Sequence, residues 1–274
     1  MKKVLAKILI LFFIFAAGVT ATALLLNSQS TDDRSDLNEA TLPEVMIDMN
    51  GTLVNRMYGY AQPMQADFTR DSVTPLDTSK TLSFVINPYD AEVSSFSYEI
   101  RTSDGSKVLE NKKIKNLEID EQYLHTQVEI SSDLRMNQEY SMQISLETGG
   151  KTAYYYTRIV SRSQTNVSEY ASFVEYFAQA SMDKEAADAL ATYLDPDNNG
   201  AATNYSGITL NSTLSEISWG TLKPELYREG VPVINDINET TASITLEYQI
   251  SSQNDQGQLE IYDVKEFYRM KYQD

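Results

Sequence analysis

The sharpest chemical motif in the chain is Asp195-Pro-Asp197-Asn-Asn199-Gly200. It fits the first six positions of an EF-hand loop, where positions one, three and five give oxygens to Ca²⁺ and a glycine at six permits the turn. Asp195, Asp197 and Asn199 are therefore the candidate metal ligands, and Ca²⁺ is the one cofactor the sequence offers. The twelfth position, where that loop needs a bidentate glutamate, is Ser206, and a strand rather than a helix is expected after it. A helix stop rich in Asp, Asn and Pro accounts for the same residues without a metal.

Few other chemistries have the residues they require. Cysteine is absent, which removes disulfides, thiol nucleophiles, thiolate zinc sites, iron–sulfur clusters and a lipid-modified cysteine. His125 is the only histidine, so a serine-protease triad, a two-histidine metal site and an HExxH protease are all excluded. It alternates out of phase with Leu124, Val128 and Ile130, which puts it off that apolar stripe. Carboxylate pairs for glycoside hydrolysis remain open among 39 acidic residues, with Glu118, Asp120 and Glu121 as the densest small cluster. A solvated face is the commoner use of such a cluster. Trp219 and the 18 tyrosines could form a stacking platform for carbohydrate or peptide, or serve in core and interface packing. Tyr154, Tyr155 and Tyr156 would place rings on both faces of one strand. No catalytic constellation emerges, and the expectation is a protein that is not an enzyme.

Charge narrows the partners. The chain carries 22 basic and 39 acidic residues, a net charge of −17. Without Lys2, Lys3 and Lys7 the remainder has 19 bases against the same 39 acids, a charge of −20. Such a field repels phosphate backbones, so no nucleic-acid partner is expected. Residues 8–26, ILILFFIFAAGVTATALLL, are nineteen residues without a charge, preceded by lysines and followed by Asp32, Asp33 and Asp36. That length predicts a transmembrane anchor with the N-terminus in the cytoplasm and the rest exported. The competing reading is a cleaved secretion signal, with Ala21-Thr22-Ala23 as the cleavage site. Leu24 to Leu26 extend the apolar run beyond it and favour the anchor. An exported chain of this size without cysteine points to a bacterial surface.

The expected order is then a cytoplasmic tail at 1–7, the anchor at 8–26, a polar, acidic, flexible stalk at 27–41, and folded structure from Leu42 onward. From 42 to 165 apolar residues recur two apart: Leu82, Phe84 and Ile86; Phe96, Tyr98 and Ile100; Leu124, Thr126, Val128 and Ile130; Tyr140, Met142, Ile144 and Leu146. Ser103-Asp104-Gly105 and Gly149-Gly150 supply turns between them. This spacing predicts a two-sheet β-sandwich. The run Leu134-Arg-Met-Asn-Gln-Glu-Tyr140-Ser-Met-Gln-Ile144 resembles the entry to the sixth strand of fibronectin type III domains. There a leucine stands six residues before the tyrosine of the tyrosine corner. The resemblance implies an immunoglobulin-like or fibronectin-like sandwich and a structural role for Tyr140, whose hydroxyl would bond upstream backbone. Met136 stands where that family often has proline, and its early-strand tryptophan is missing. The fold implies no activity by itself.

Residues 166–274 change period. Ser168 can cap a helix with Tyr170, Phe173, Val174 and Phe177 on one face, and Ser181-Met182-Asp183 offers a second N-cap before Ala186, Ala189, Leu190 and Tyr193. After this helix pair, Ile244, Leu246, Tyr248 and Ile250 alternate as a strand, and Leu259 to Tyr272 is an extended or mixed apolar segment. This part either completes a small α+β domain or is the front piece of a longer protein. The whole predicts a mainly β, membrane-anchored extracytoplasmic protein that binds or spaces cell-envelope components. Its alternatives are the front part or accessory of an envelope enzyme and a Ca²⁺-responsive ectodomain.

Overall fold

The structure is a computed structural model that describes residues 7, 9, 11–13, 15–20, 22, 42–114, 117–196, 205–254 and 256–273. The chain divides into two compact units, 1–40 and 41–274. In the first, the described residues between Lys7 and Thr22 are helical. Among the described residues no helix is long and apolar enough to cross a membrane. A span of about 30 Å needs roughly 20 residues, and residues 8, 10, 14, 21 and 23–26 of the expected anchor lie outside the described ones. The transmembrane expectation therefore finds no support in the described helix. The stalk at 27–41 and Ala23 of the cleavage site also lie outside.

The second unit is mainly β. Its strands are β1 (Glu44–Met49), β2 (Thr52–Tyr58), β3 (Val73–Leu76), β4 (Thr81–Asn87), β5 (Val93–Thr102), β6 (Val108–Ile114), β7 (Glu118–Asp120), β8 (Tyr123–Glu129), β9 (Glu139–Thr148), β10 (Lys151–Ser161), β11 (Glu225–Arg228), β12 (Val233–Ile237), β13 (Thr241–Gln253) and β14 (Leu259–Lys271). Helix α1 (Val167–Met182) and the single turn α2 (Leu214–Ile217) lie between β10 and β11, with a 3₁₀ helix at Ala186–Tyr193. One sheet has the order β2-β1-β4-β8-β7 and a second β3-β10-β9-β5-β6. In the third, β13 pairs along its whole length with β14 on one side, and with β12 and β11 in succession on the other.

The period-two residues form these sheets because one side of each strand must leave water. Leu82, Phe84 and Ile86 on β4 and Phe96, Tyr98 and Ile100 on β5 are all buried. Phe84 meets Phe96 between the first two sheets with ring centroids 5.1 Å apart. Met142, Ile144 and Leu146 of β9 complete that layer. Gly149 and Gly150, at φ of 55° and 76°, close the β9–β10 hairpin, a positive-φ pair that matches the strands' right-handed twist. Tyr140 is buried, and its hydroxyl accepts the Arg135 backbone N–H at 3.0 Å, so the expected upstream backbone bond is present.

The third sheet shares this core. Ile234, Ile244, Leu246, Tyr248 and Ile250 belong to the same buried cluster as Phe84 and Phe96, as do Tyr170, Ala171 and Val174 of α1. Polar clasps fix the join. Fully buried Asn55 donates through Nδ2 to the Val73 carbonyl at 3.0 Å and to Thr74 Oγ1 at 2.9 Å, and its Oδ1 accepts the Ile234 N–H at 2.8 Å. Arg158 of β10 and Arg162 just after it donate to the carbonyls of Asn235 and Ile237.

Helix α1 begins one residue before the expected cap. Asn166 precedes it, and Ser168 sits within its first turn with its hydroxyl near the Met49 carbonyl. The N-cap position of the second helical element is Glu185 and not Asp183, whose Oδ1 accepts the N–H groups of Glu185 and Ala186 in the turn leading into it. That element is a 3₁₀ helix, so the helix pair has one α member.

Candidate ligand-binding site

Strand β14 positions the site. Its partner β13 buries Ile244, Leu246, Tyr248 and Ile250, and the register sets Ile244 opposite Tyr268, Leu246 opposite Glu266 and Tyr248 opposite Val264. Because directly opposed residues share a face of the sheet, the even-numbered residues of β14 point the same way as the β13 core. Helix α1 covers part of that face, with the Phe177 ring 5.8 Å from Tyr268 and Tyr170 6.4 Å from Tyr272. Between them lies a cavity of about 730 Å³. Phe173, Phe177, Tyr193, Tyr205, Trp219 and Tyr268 give it an aromatic lining.

The Trp219 wall is held in a costly backbone conformation. Trp219 itself has φ of 66° and Gly220 follows at 55°; a bulky residue there costs on the order of 1–3 kcal/mol. A Cβ on Gly220 would come within 2.9 Å of the Tyr205 hydroxyl, and its positive φ strains any other residue, so glycine is favoured there. That hydroxyl donates to the Trp219 carbonyl at 2.6 Å, and Lys184 donates to the carbonyls of Ser218 and Gly220. The indole Nε1–H donates to Ser181 Oγ at 3.2 Å. These bonds hold the turn and aim the indole, whose ring lies 5.5 Å from that of Tyr205.

Glu169, Glu216 and Glu266 also line the cavity, and of these Glu266 stands on β14 facing the aromatic rings. Glu266 Oε1 accepts the Tyr248 hydroxyl at 2.9 Å and its Oε2 accepts the Tyr268 hydroxyl. Burial raises its pKa above the ordinary carboxylate range, and the two tyrosine donors offset only part of that rise. Burial likewise pushes both tyrosines up, with the neighbouring Glu266 charge adding to it. Among the described residues no Lys or Arg forms an ion pair with Glu266; Lys265, beside it in sequence, pairs with Glu247 at 2.6 Å. The site thus combines aromatic faces, which attract cations, with a carboxyl whose charge is incompletely compensated.

The residues singled out from sequence have different fates. Trp219, the candidate stacking residue, is in the cavity. Tyr155 is buried, its hydroxyl donating to the Pro43 carbonyl at 2.8 Å, while Tyr156 accepts from the Met64 N–H at 2.7 Å. Glu118, Asp120 and Glu121 are exposed at the edge strand β7. His125 stands opposite Val85 and Glu118, out of phase with the buried Thr126 and Val128. Asp195 is exposed, and its backbone bonds Leu210 and Asn211. Asp197 and Asn199 lie outside the described residues.

Glu266 and Tyr268 were not singled out, and Tyr248 and Ser181 were read only as a strand residue and part of a cap. A usable signal existed: among the even positions from Tyr262 to Tyr272, Glu266 is the only charged residue.

No family model and no curated protein matches the chain. Among solved structures, an engineered protein aligns with 15% identity and a TM-score of 0.25, over 33% of this chain and 18% of its own length. A DUF3823 family protein from Bacteroides ovatus aligns with 11% identity and a TM-score of 0.24, over 44% of this chain and 89% of its own.

Proposed function

We propose that this chain is a non-enzymatic, membrane-anchored extracytoplasmic binding protein, and that the aromatic cavity between α1 and β14 is where it takes a cell-envelope component. The observation that carries the reading is the cavity itself, with a tyrosine-bonded carboxyl inside an aromatic lining. Aromatic walls supply apolar contact and one precisely oriented polar group supplies selectivity, the usual construction of a ligand site. The charge-free run at 8–26 supports anchoring, and the acidic remainder supports a cationic or neutral ligand over a phosphate-rich one. Strands β1 to β10 are read as an immunoglobulin-like sandwich of fibronectin type III kind, supported by the Tyr140 hydroxyl on upstream backbone. The sandwich would serve as a rigid spacer that carries the cavity.

The test is photo-crosslinking in intact cells, with a photoreactive residue at Tyr193, which lines the cavity and is 47% exposed. The expected result is a discrete envelope adduct that is absent when the photoreactive residue stands at the exposed Glu118. Equal labelling from both positions, or none from Tyr193, would overturn the reading.

A further inference from the structure

The free edge of β14 runs along the cavity. The Tyr272 N–H donates to the Thr240 carbonyl at 2.8 Å, and the register continues without a shift from Thr241–Lys271 to Gln253–Leu259. In an antiparallel pair, alternate residues direct both backbone groups at the partner. Even-numbered residues of β14 therefore pair with β13, and the N–H and C=O groups of Lys265, Phe267, Arg269 and Lys271 point the other way. No described strand pairs with them. Consecutive residues from Val264 to Gln273 line the cavity, edge-directed ones included, so it opens along this edge. An exposed edge of thirteen residues with neither proline nor bulge is a ready template for an added strand.

A strand added there would meet the cavity in phase. Its alternate side chains would stand on the face of Val264, Glu266, Tyr268 and Met270, at the two-residue spacing of β14 itself. Charge selects among them. Lys265, Arg269 and Lys271 border the cavity, but by register their side chains leave β14 on its other face, whereas Glu266 is on the cavity face and Glu169 and Glu216 add two further acids to the lining. A lysine or arginine side chain could pack its stem on Phe177 and Tyr268 and bring its charge to Glu266.

Resting on the reading of the cavity as a ligand site, we propose that the ligand is an extended peptide that adds to the free edge of β14 and places a basic side chain against Glu266. Main-chain bonds to the odd residues would supply affinity, and the cavity would supply the preference for a base.

Trp219 is the only tryptophan and lies in the cavity, so its fluorescence reports occupancy in the full chain in detergent. The probes are three synthetic peptides: alternating Thr-Val with a central lysine, the same with a central glutamate, and the lysine peptide N-methylated at alternate residues. The lysine peptide is expected to bind saturably and at least about tenfold more tightly than either of the others. Arg269→Pro removes one edge-directed N–H without touching the β13 ladder, and is expected to weaken the lysine peptide about tenfold. Glu266→Gln, with unchanged far-ultraviolet circular dichroism, is expected to abolish the lysine-over-glutamate preference. Equal binding of the methylated peptide overturns the edge, and equal binding of the lysine and glutamate peptides overturns the base. If no peptide binds but solubilised envelope glycan shifts Trp219 emission, the peptide proposal fails while the cavity reading stands. If nothing shifts it and Tyr193 also gives no adduct, both fail.

Discussion

Replacing Asn55 by alanine should separate the third sheet from the first two, and its size can be worked from three bonds. Asn55 is fully buried at the meeting of β2, β3 and β12. Alanine leaves the Ile234 N–H and the Val73 carbonyl without their side-chain partner, at about 1–3 kcal/mol each when desolvated. Thr74 Oγ1 keeps its contact with Thr157, and the Asn55 N–H to the Pro232 carbonyl is backbone, so neither adds to the loss. Asn55 also holds φ of 53°, which asparagine tolerates and alanine resists by about 1 kcal/mol. The expected loss is about 5 kcal/mol, a large part of the roughly 5–15 kcal/mol that usually holds a protein folded. It corresponds to a fall in Tm of roughly 10–20 °C for a chain of this size. Asn55→Gly loses the same bonds but relieves the backbone, so it should recover about 1 kcal/mol. Urea unfolding of both variants, followed by Trp219 fluorescence, measures the difference. A loss below about 1 kcal/mol for Asn55→Ala would show that water replaces the side chain and that the site is not desolvated. Glycine no better than alanine would show that the left-handed backbone carries no strain.

Acid stability should depend on Glu110. Burial opposes its ionisation, but bonds from Lys112, Tyr98, Ser132 and Ser131 outweigh that and bring its pKa down to about 2. A depressed carboxylate stabilises the fold above its unfolded value and loses that contribution as pH falls towards about 2, a change of roughly 3 kcal/mol. Glu110→Gln should be less stable at neutral pH and converge on the parent in acid, as urea titrations at several pH values would record. Glu266 has the opposite sign, since burial raises its pKa. The folded state holds that proton more tightly, and this stabilisation is lost as pH rises from the ordinary glutamate range through the raised folded value. Glu266→Gln should remove the decline, and identical slopes in parent and variant would count against a desolvated carboxyl. Tyr140→Phe strands the Arg135 N–H and should cost about 1–2 kcal/mol in denaturant unfolding. A neutral result would show that this hydroxyl bond adds nothing to stability.

The sandwich strands were legible because burial acts residue by residue along each strand. Leu82, Phe84 and Ile86 carry their period in the sequence, and the buried face follows from it. Turn chemistry was equally local at Gly149-Gly150. The clasp at Asn55 had no such signature, since its partner Ile234 is 179 residues away and its left-handed backbone is set by the fold. Ser168 was misplaced as a cap by one turn chemistry competing with another: the helix starts at Val167, and the serine hydroxyl approaches β1 instead. The site shows the same division. Trp219 could be flagged by type, but its contact with Ser181 spans 38 residues and depends on how α1 and the Trp219 turn pack.

Strand β14 was the hardest element to read, and the reason bears on what it does. A strand with one buried face alternates apolar and polar residues cleanly. Here Tyr262, Val264, Tyr268, Met270 and Tyr272 mark one face, while Leu259, Ile261 and Phe267 stand on the other. The two stripes overlap, so the sequence shows an apolar segment without a decisive period. In the structure the second stripe remains in water, with Leu259 at 60%, Ile261 at 48% and Phe267 at 65% exposure. Leaving three large apolar side chains there gains nothing from burial in the isolated chain. A strand laid along the β14 edge would run beside them as well as beside the cavity, and would cover apolar surface on both faces at once. The ambiguity of the pattern and the open edge meet in one strand: on its outer face β14 carries Leu259, Ile261 and Phe267 among Asp263, Lys265, Arg269 and Lys271.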